Sequence, residues 1–370
     1  MKRVAFFLNK VDFGGIERMV IDLFKYMEKR MSTLGLEPYL VVFRKEGGFL
    51  EELKGNKRVF FLTSSRKKVK TISFSFYPKL RRLLKELEPD ILHFHGYPVD
   101  FITTFASVGL RVKRIVHIHN FHFIGGKNRI RKYRFMSKYI DKFIYVSKSV
   151  MESVDPLYNA SCPSKEVLYN FIVPDRIEEL LRKENVTRKE LKIPEKSTVF
   201  CFVGRLTDNK NVINLVKAMS YLKNKRDLYL LIVGSGKLGD KLRELSKKLQ
   251  LKNIIFAGAT VNPFKFLRIS DVFVLPSLRE GLPLSHLEAM YLGLPALISE
   301  NVPSKEIAYE ASLIVGTTPE SIAKGIETLY SCNILRKRMA KEAKRIVLDF
   351  TIDRYVERLQ KIYSNLMEVS

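Results

Sequence analysis

The sequence predicts an α/β protein built from two doubly wound, Rossmann-like domains facing each other across a cleft. Three observations lead there. A chain of 370 residues is too long for one ordinary core and suits two domains of roughly 150–200 residues. Short β-branched or aromatic runs alternate with amphipathic helical segments from end to end, the pattern of parallel sheets covered on both faces. The alternation breaks once, at 174–197, a charged stretch bracketed by Pro174 and Pro194 with no strand candidate. That break gives domains 1–175 and 176–350, followed by a segment 351–370.

In order along the chain, Val4–Leu8, Tyr39–Phe43, Ile91–Phe94, Ile115–Ile118 and Phe143–Val146 read as strands of the first domain. Thr198–Val203, Tyr229–Val233, Ile254–Phe256, Val272–Leu275 and Pro295–Ser299 read as strands of the second. The runs are nearly continuously apolar, as strands buried on both faces must be. Glu17–Lys29, Lys79–Leu87, Val212–Leu222, Asp240–Leu249 and Ile352–Leu366 carry helical periodicity.

Composition narrows the class. At 46% hydrophobic, the chain is neither disordered nor fibrous. No apolar run approaches the roughly 20 residues of a membrane-spanning helix. The opening MKRVAFFLNKVDF has two basic residues before an apolar run. That run, Val4–Leu8, is too short for a signal sequence and lacks a cleavage site, so a buried first strand is expected. Cys162, Cys201 and Cys332 are scattered, which suits a reducing cytoplasm and no metal-thiolate site. Without a secretion signal, the sequons at Asn159 and Asn185 carry no weight.

The formal charge is +26. Residues 64–85 hold eight basic and no acidic side chains, and 111–148 hold eleven basic side chains against Asp141 alone. Such stretches attract polyanions: nucleic acid, anionic lipid or phosphorylated substrate.

The strongest chemical signal is Ser277-Leu-Arg-Glu280-Gly281-Leu282-Pro283-Leu284-Ser-His-Leu-Glu288, after the strand Val272–Leu275. A helix opening at Leu284, just past a strand end, offers free backbone N–H groups to a phosphate. Glu280 above that helix and Glu288 inside it can grip hydroxyls on separate parts of one ligand. Gly204-Arg205…Lys210 follows Thr198–Val203. There a glycine permits close approach, and two cations can neutralise a diphosphate leaving group.

Gly234-Ser-Gly236-Lys-Leu-Gly239 is a literal dinucleotide fingerprint, yet no acidic residue ends the next strand, which runs into Phe256-Ala-Gly258. A glycine turn approaching a nucleotide sugar is the better reading. Gly14-Gly15 precedes a helix and allows the backbone to reach a substrate, or simply makes a tight turn. His93, His95, His117 and His119 alternate on two strands, with His122 behind them. Alternation sets each pair on one face, as in some metal sites, but no Cys, Asp or Glu joins them at ligand spacing. No metal is expected.

These motifs together resemble the family 4 glycosyltransferases. The resemblance rests on Glu280-x7-Glu288 with its continuation Ala289-Met290…Gly293-Leu-Pro295, on Gly204-Arg205…Lys210, and on Gly14-Gly15. It extends to Glu306-Ile307, covering most of the chain. It implies the two-domain GT-B fold, with the first domain on the acceptor side and the second binding the donor. It implies that Glu288 binds the ribose of a UDP- or GDP-sugar and Glu280 a hydroxyl of the transferred sugar. Arg205 and Lys210 then hold the diphosphate, and Gly204, Gly234 and Gly281–Leu284 line the donor. His119-Asn120 is similar to the position that touches the transferred sugar, and His95 to a second family position. Ser147 and Asn170 match further landmarks, although the usual Asn-Gly is Asn170-Phe171 here.

The implied reaction is a retaining, front-face transfer without a bound cofactor. No Asp-x-Asp sequence occurs, so side-chain cations take the place of a metal. The implied acceptor is a sugar or lipid-linked glycan, with the enzyme cytoplasmic and peripheral on the inner face of the membrane. The last helix is implied to pack back on the first domain. Two other readings remain. A nucleotide-sugar epimerase of the same architecture should lack the paired glutamates, and a nucleic-acid-binding protein should carry a recognisable reading module, which is absent.

Overall fold

The computed structural model describes residues 1–63, 76–121, 126–158 and 164–368. The chain forms two compact units, Met1–Asn170 with Ile352–Ser370, and Phe171–Thr351. Most of the basic stretch 64–85, together with His122, Cys162 and the sequon at Asn159, lies outside the described residues.

The first unit holds seven strands: β1 (Lys2–Leu8), β2 (Leu36–Arg44), β3 (Val59–Thr63), β4 (Ile91–Phe94), β5 (Lys113–Ile118), β6 (Lys142–Tyr145) and β7 (Lys165–Val167). They are all parallel in the order β3-β2-β1-β4-β5-β6-β7. The centre of the sheet is sealed on both faces, and Val4, Ala5, Phe6 and Phe7 of β1 are fully buried. This explains why β1 reads as an unbroken apolar run rather than an alternating one.

The second unit holds six: β8 (Thr198–Val203), β9 (Leu228–Val233), β10 (Ile254–Gly258), β11 (Val272–Leu275), β12 (Ala296–Ser299) and β13 (Ser312–Val315). These too are parallel, in the order β10-β9-β8-β11-β12-β13.

Both sheets are doubly wound, so each has one place where the strand order reverses: between β1 and β4, and between β8 and β11. Loops leaving the carboxyl ends of those neighbours diverge and open a crevice. The glycine loop Gly14-Gly15 follows β1 and His95 follows β4; Gly204-Arg205 follows β8 and the Glu280 loop follows β11.

Residues 174–197 are more than a linker. Pro174–Lys183 form a helix with proline in its first turn, and its apolar stripe buries Ile177 and Leu181 in the second unit. Asn262 fastens it by donating to Leu180 O at 2.8 Å. The helix Ile352–Glu368 belongs to the first unit. It buries Tyr355, Leu359, Ile362, Tyr363 and Leu366; Gln360 donates to Leu34 O at 3.0 Å, and Tyr26 donates to Asp353.

Candidate active site

In the second unit the two loops at the reversal are tied together. Lys210, on the turn after β8, places Nζ 2.6 Å from Oε1 of Glu280, and both side chains are largely covered, at 17% and 12% exposure. Asn209 Nδ2 donates to Arg279 O at 2.7 Å, and Leu278 N donates to Asn209 O at 2.8 Å. Arg205, on the same turn after β8 as Lys210, is exposed. Two of the sequence-selected groups, 70 residues apart, thus meet at the crevice.

The helix Leu284–Tyr291 starts where the motif places it, with Pro283 extended at its N-cap. Its position is set from beneath. The fully buried His286 has Nδ1 2.7 Å from Ser304 Oγ and its ring parallel to Phe273 of β11, centroids 5.7 Å apart. Burial pushes the His286 imidazole down to about 3, so it is neutral. With the helix so fixed, Glu288 projects from its second turn. Its Oε1 accepts from Arg176 Nη2 at 3.0 Å, and the guanidinium lies 5.2 Å from the centroid of Phe264.

The glycines of the fingerprint-like turn serve backbone packing. At Gly234, φ is +135°, and a Cβ would sit 2.0 Å from Gly204 O; at Gly236 it would sit 2.5 Å from Leu206 O. Leu206 N donates to Ser235 O and Leu238 N to Leu206 O. The turn after β9 therefore lies directly on the Gly204-Arg205 turn and holds it in place. Gly239, the third glycine, has nothing nearer than 3.9 Å to its missing Cβ. Close helix packing, which the dinucleotide fingerprint demands at that position, is absent.

In the first unit Gly14 is the N-cap of the helix Gly15–Lys29. A Cβ on Gly14 would collide with the Glu17 carboxylate at 2.3 Å. Arg18 on that helix bonds Glu52 Oε1 at 2.8 Å and lies over Phe49, which anchors the loop. Ser147 accepts from Val150 N at 3.2 Å, making it a cap of the helix Lys148–Tyr158.

The histidines form one buried cluster. His119 Nε2 and His95 Nδ1 are 2.8 Å apart, and His93 Nδ1 lies 2.7 Å from Tyr363 Oη. One ring nitrogen from each of His93, His95 and His117 falls within 4.8 Å of the others. Burial drives His93 and His119 down to about 3 and lowers His95 and His117 as well, so the rings are neutral.

Two family descriptions match the chain: "Glycosyltransferase Family 4" over residues 13–176 and "Glycosyl transferases group 1" over residues 183–346. The chain belongs to the family 4 glycosyltransferases. An uncharacterized glycosyltransferase of Methanocaldococcus jannaschii is 28% identical over 60% of this chain and 58% of its own length. The UDP-Gal:alpha-D-GlcNAc-diphosphoundecaprenol alpha-1,3-galactosyltransferase of Escherichia coli is 25% identical over 96% of this chain and 94% of its own. Among solved structures, Anabaena HepE in complex with UDP and glucose superposes with a TM-score of 0.80 at 16% identity. That likeness covers 99% of this chain and all of that one.

For this family 4 glycosyltransferase, the paired glutamates were legible from spacing and strand ends. Arg176 was not: it sits 112 residues from Glu288, on a helix whose periodicity announces only its apolar stripe. His286 was visible inside the motif, but its buried supporting role shows only in three dimensions.

Proposed function

We propose that this glycosyltransferase moves a sugar from a UDP- or GDP-sugar to a hydroxyl of a lipid-linked glycan, with retention at the anomeric carbon. The observation that carries the reading is the Lys210–Glu280 pair at the β8/β11 reversal, with Glu288 one helix turn beyond. Glu288 takes the ribose hydroxyls, and Glu280 takes a hydroxyl of the sugar. Arg205 and Lys210, with the backbone N–H groups at Gly281, Leu282 and Leu284, receive the diphosphate; Gly204 and Gly234 shape the turn beneath it.

As the bond from the anomeric carbon to the diphosphate oxygen breaks, its electron pair passes to the phosphate. The cations and the helix end are already oriented to meet that charge. The acceptor oxygen bonds to the same face of the carbon, and its proton goes to the leaving phosphate oxygen. No carboxylate need act as nucleophile. Because the sequence has no Asp-x-Asp, the two basic side chains take the role a divalent ion would have at the diphosphate. In the first unit, Gly14, Gly15 and His119 are the residues assigned to substrate.

The E. coli relative's acceptor is a diphosphoundecaprenol, and the Anabaena protein binds UDP; both support this choice of substrates. So does the helix Gly126–Ser137, which carries Arg129, Arg131, Lys132 and Arg134 and no acid. Exposed Phe135 (53%) and Tyr139 (38%) stand among those cations, a mixture suited to an anionic membrane surface on the cytoplasmic side. Among the described residues no helix is long and apolar enough to cross a membrane.

The test is calorimetry with a panel of nucleotide diphosphates and nucleotide sugars, followed by NMR of the product's anomeric configuration. One nucleotide should bind selectively, and both Glu288→Ala and Arg205→Ala should weaken that binding by about 10-fold or more. An inverted product overturns retention, and tight binding of single-stranded nucleic acid with no nucleotide sugar bound overturns the transferase reading. Flotation with anionic and neutral vesicles checks the membrane. Salt-sensitive binding to the anionic vesicles alone, weakened in Phe135→Ala, is expected; equal binding to neither or both sinks that part.

A further inference from the structure

Apart from His119, the histidine cluster has no role in the proposed sugar transfer. β4 and β5 are neighbours in register, His93 opposite Ile115 and Phe94 opposite Val116. Period-two alternation therefore puts His93, His95, His117 and His119 side by side on one face of the sheet. Their rings are close, with His93 and His95 centroids 4.5 Å apart and His117 5.4 Å from each. His93 and His117 are fully buried, and His95 is 3% exposed.

Buried polar atoms are normally paired, and leaving one unpaired costs about 1–3 kcal/mol. Among the described residues, His93 Nε2, His95 Nε2 and both nitrogens of His117 have no hydrogen-bond partner. The pattern is not random. The opposite nitrogens of His93 and His95 are held by Tyr363 Oη and His119 Nε2, which fixes both rings. A ring anchored through one nitrogen with the other bare is how metal-ligating histidines are held.

We propose that His93, His95 and His117 bind a divalent transition-metal ion of the zinc type inside the first unit. Three imidazoles form a sufficient zinc donor set, with the fourth position open to water or hydroxide. The sequence argument against a metal, that no thiolate or carboxylate joins the histidines, applies to closed four-residue sites and not to this one. Oxygen-seeking calcium and magnesium are poorly served by an all-nitrogen set. Zinc–nitrogen bonds of about 2.0–2.1 Å require the three nitrogens, now within 4.8 Å of one another, to draw in by roughly an ångström. The ion is a structural rivet: it joins β4 to β5, reaches the helix Ile352–Glu368 through Tyr363, and orients His119 through His95. It has no part in neutralising the diphosphate, so the proposal stands whether or not the transferase reading does.

The full chain, stripped with chelator, is incubated with zinc chloride or cobalt(II) chloride, desalted and assayed by elemental analysis. About one ion per chain is expected, with cobalt giving the strong visible bands of four-coordinate nitrogen ligation. His117→Gln and His93→Gln should lose the ion while keeping the wild-type circular dichroism. Should either variant fail to fold, X-ray absorption on the zinc-loaded wild type decides, with about three nitrogen ligands near 2.0 Å expected. Retention of less than about a tenth of an ion with either metal, folded variants that keep the ion, or a spectrum without imidazole ligands overturns the proposal. The histidines would then be a stacked, water-satisfied core.

Discussion

Lys210 and Glu280 neutralise each other across the β8/β11 reversal, 2.6 Å apart and mostly shielded from solvent. A donor diphosphate would find the lysine already positioned by its partner. Lys210→Ala should lower kcat on the order of 10²–10³ and also destabilise the second unit, because it leaves Glu280 half-buried without its cation. The double variant Lys210→Met/Glu280→Gln should recover the melting temperature while turnover stays low. Recovery of turnover along with stability would show the pair to be structural only.

Arg176 and Glu288 make a second such pair. Glu288→Ala should weaken nucleotide binding by about 10- to 100-fold, the worth of a hydrogen bond to a charged group. Arg176→Met, which keeps much of the contact with Phe264 but frees the carboxylate, should weaken it by less. Titration of both variants with the preferred nucleotide checks the order; a larger loss in Arg176→Met would assign the ligand contact to the arginine instead.

The glycine turn offers a sharp discrimination. Gly236→Ala forces a methyl to within 2.5 Å of Leu206 O and should cost at least about 2 kcal/mol, by backbone displacement. Gly239→Ala should be neutral or slightly stabilising, since the position is helical and open. Urea denaturation of both variants measures the difference. A damaging Gly239→Ala would revive the dinucleotide reading.

Acid should loosen the second unit through His286. Its folded value, about 3, lies below the ordinary 6.5. Between those limits the unfolded chain binds the proton and the folded one does not, so stability present above pH 6.5 is lost as pH falls. The loss approaches about 1.4 kcal/mol per pH unit well inside that window. Comparing urea midpoints at pH 7 and pH 5, wild type should fall further than His286→Gln, although the variant starts lower. Equal pH slopes would mean that the histidine is not buried neutral.

Nine of the ten strands that sequence reading supplied lie inside their sheets, where apolar runs are continuous; the tenth, β10, is a half-covered edge strand. The three it did not supply, β3, β7 and β13, are all at sheet edges. β7, Lys-Glu-Val, shows neither a run nor an alternation, whereas β3 and β13 hold only the short apolar runs Val59–Leu62 and Leu313–Val315 in mostly half-covered strands. The site divides in the same way. Glu280, Glu288, Arg205 and Lys210 could be read because each follows a strand end at short range. The ion pair between Arg176 and Glu288 depends on how a helix from one end of the unit settles on another, and no local spacing encodes that. The histidine alternation was plain in each strand, but the adjacency of β4 and β5 that brings the rings together is a property of the sheet.

The helix Ile352–Glu368 belongs to a unit that otherwise spans Met1–Asn170. On the ribosome it emerges only after the whole of the contiguous second unit. The first unit is therefore completed only after the second has been made, with His93 lacking Tyr363 until then. Expressing residues 1–170 alone would yield a sheet missing one of its covering helices. A separable first unit would need residues 352–368 grafted back by a designed connection, whereas residues 171–351 are already contiguous.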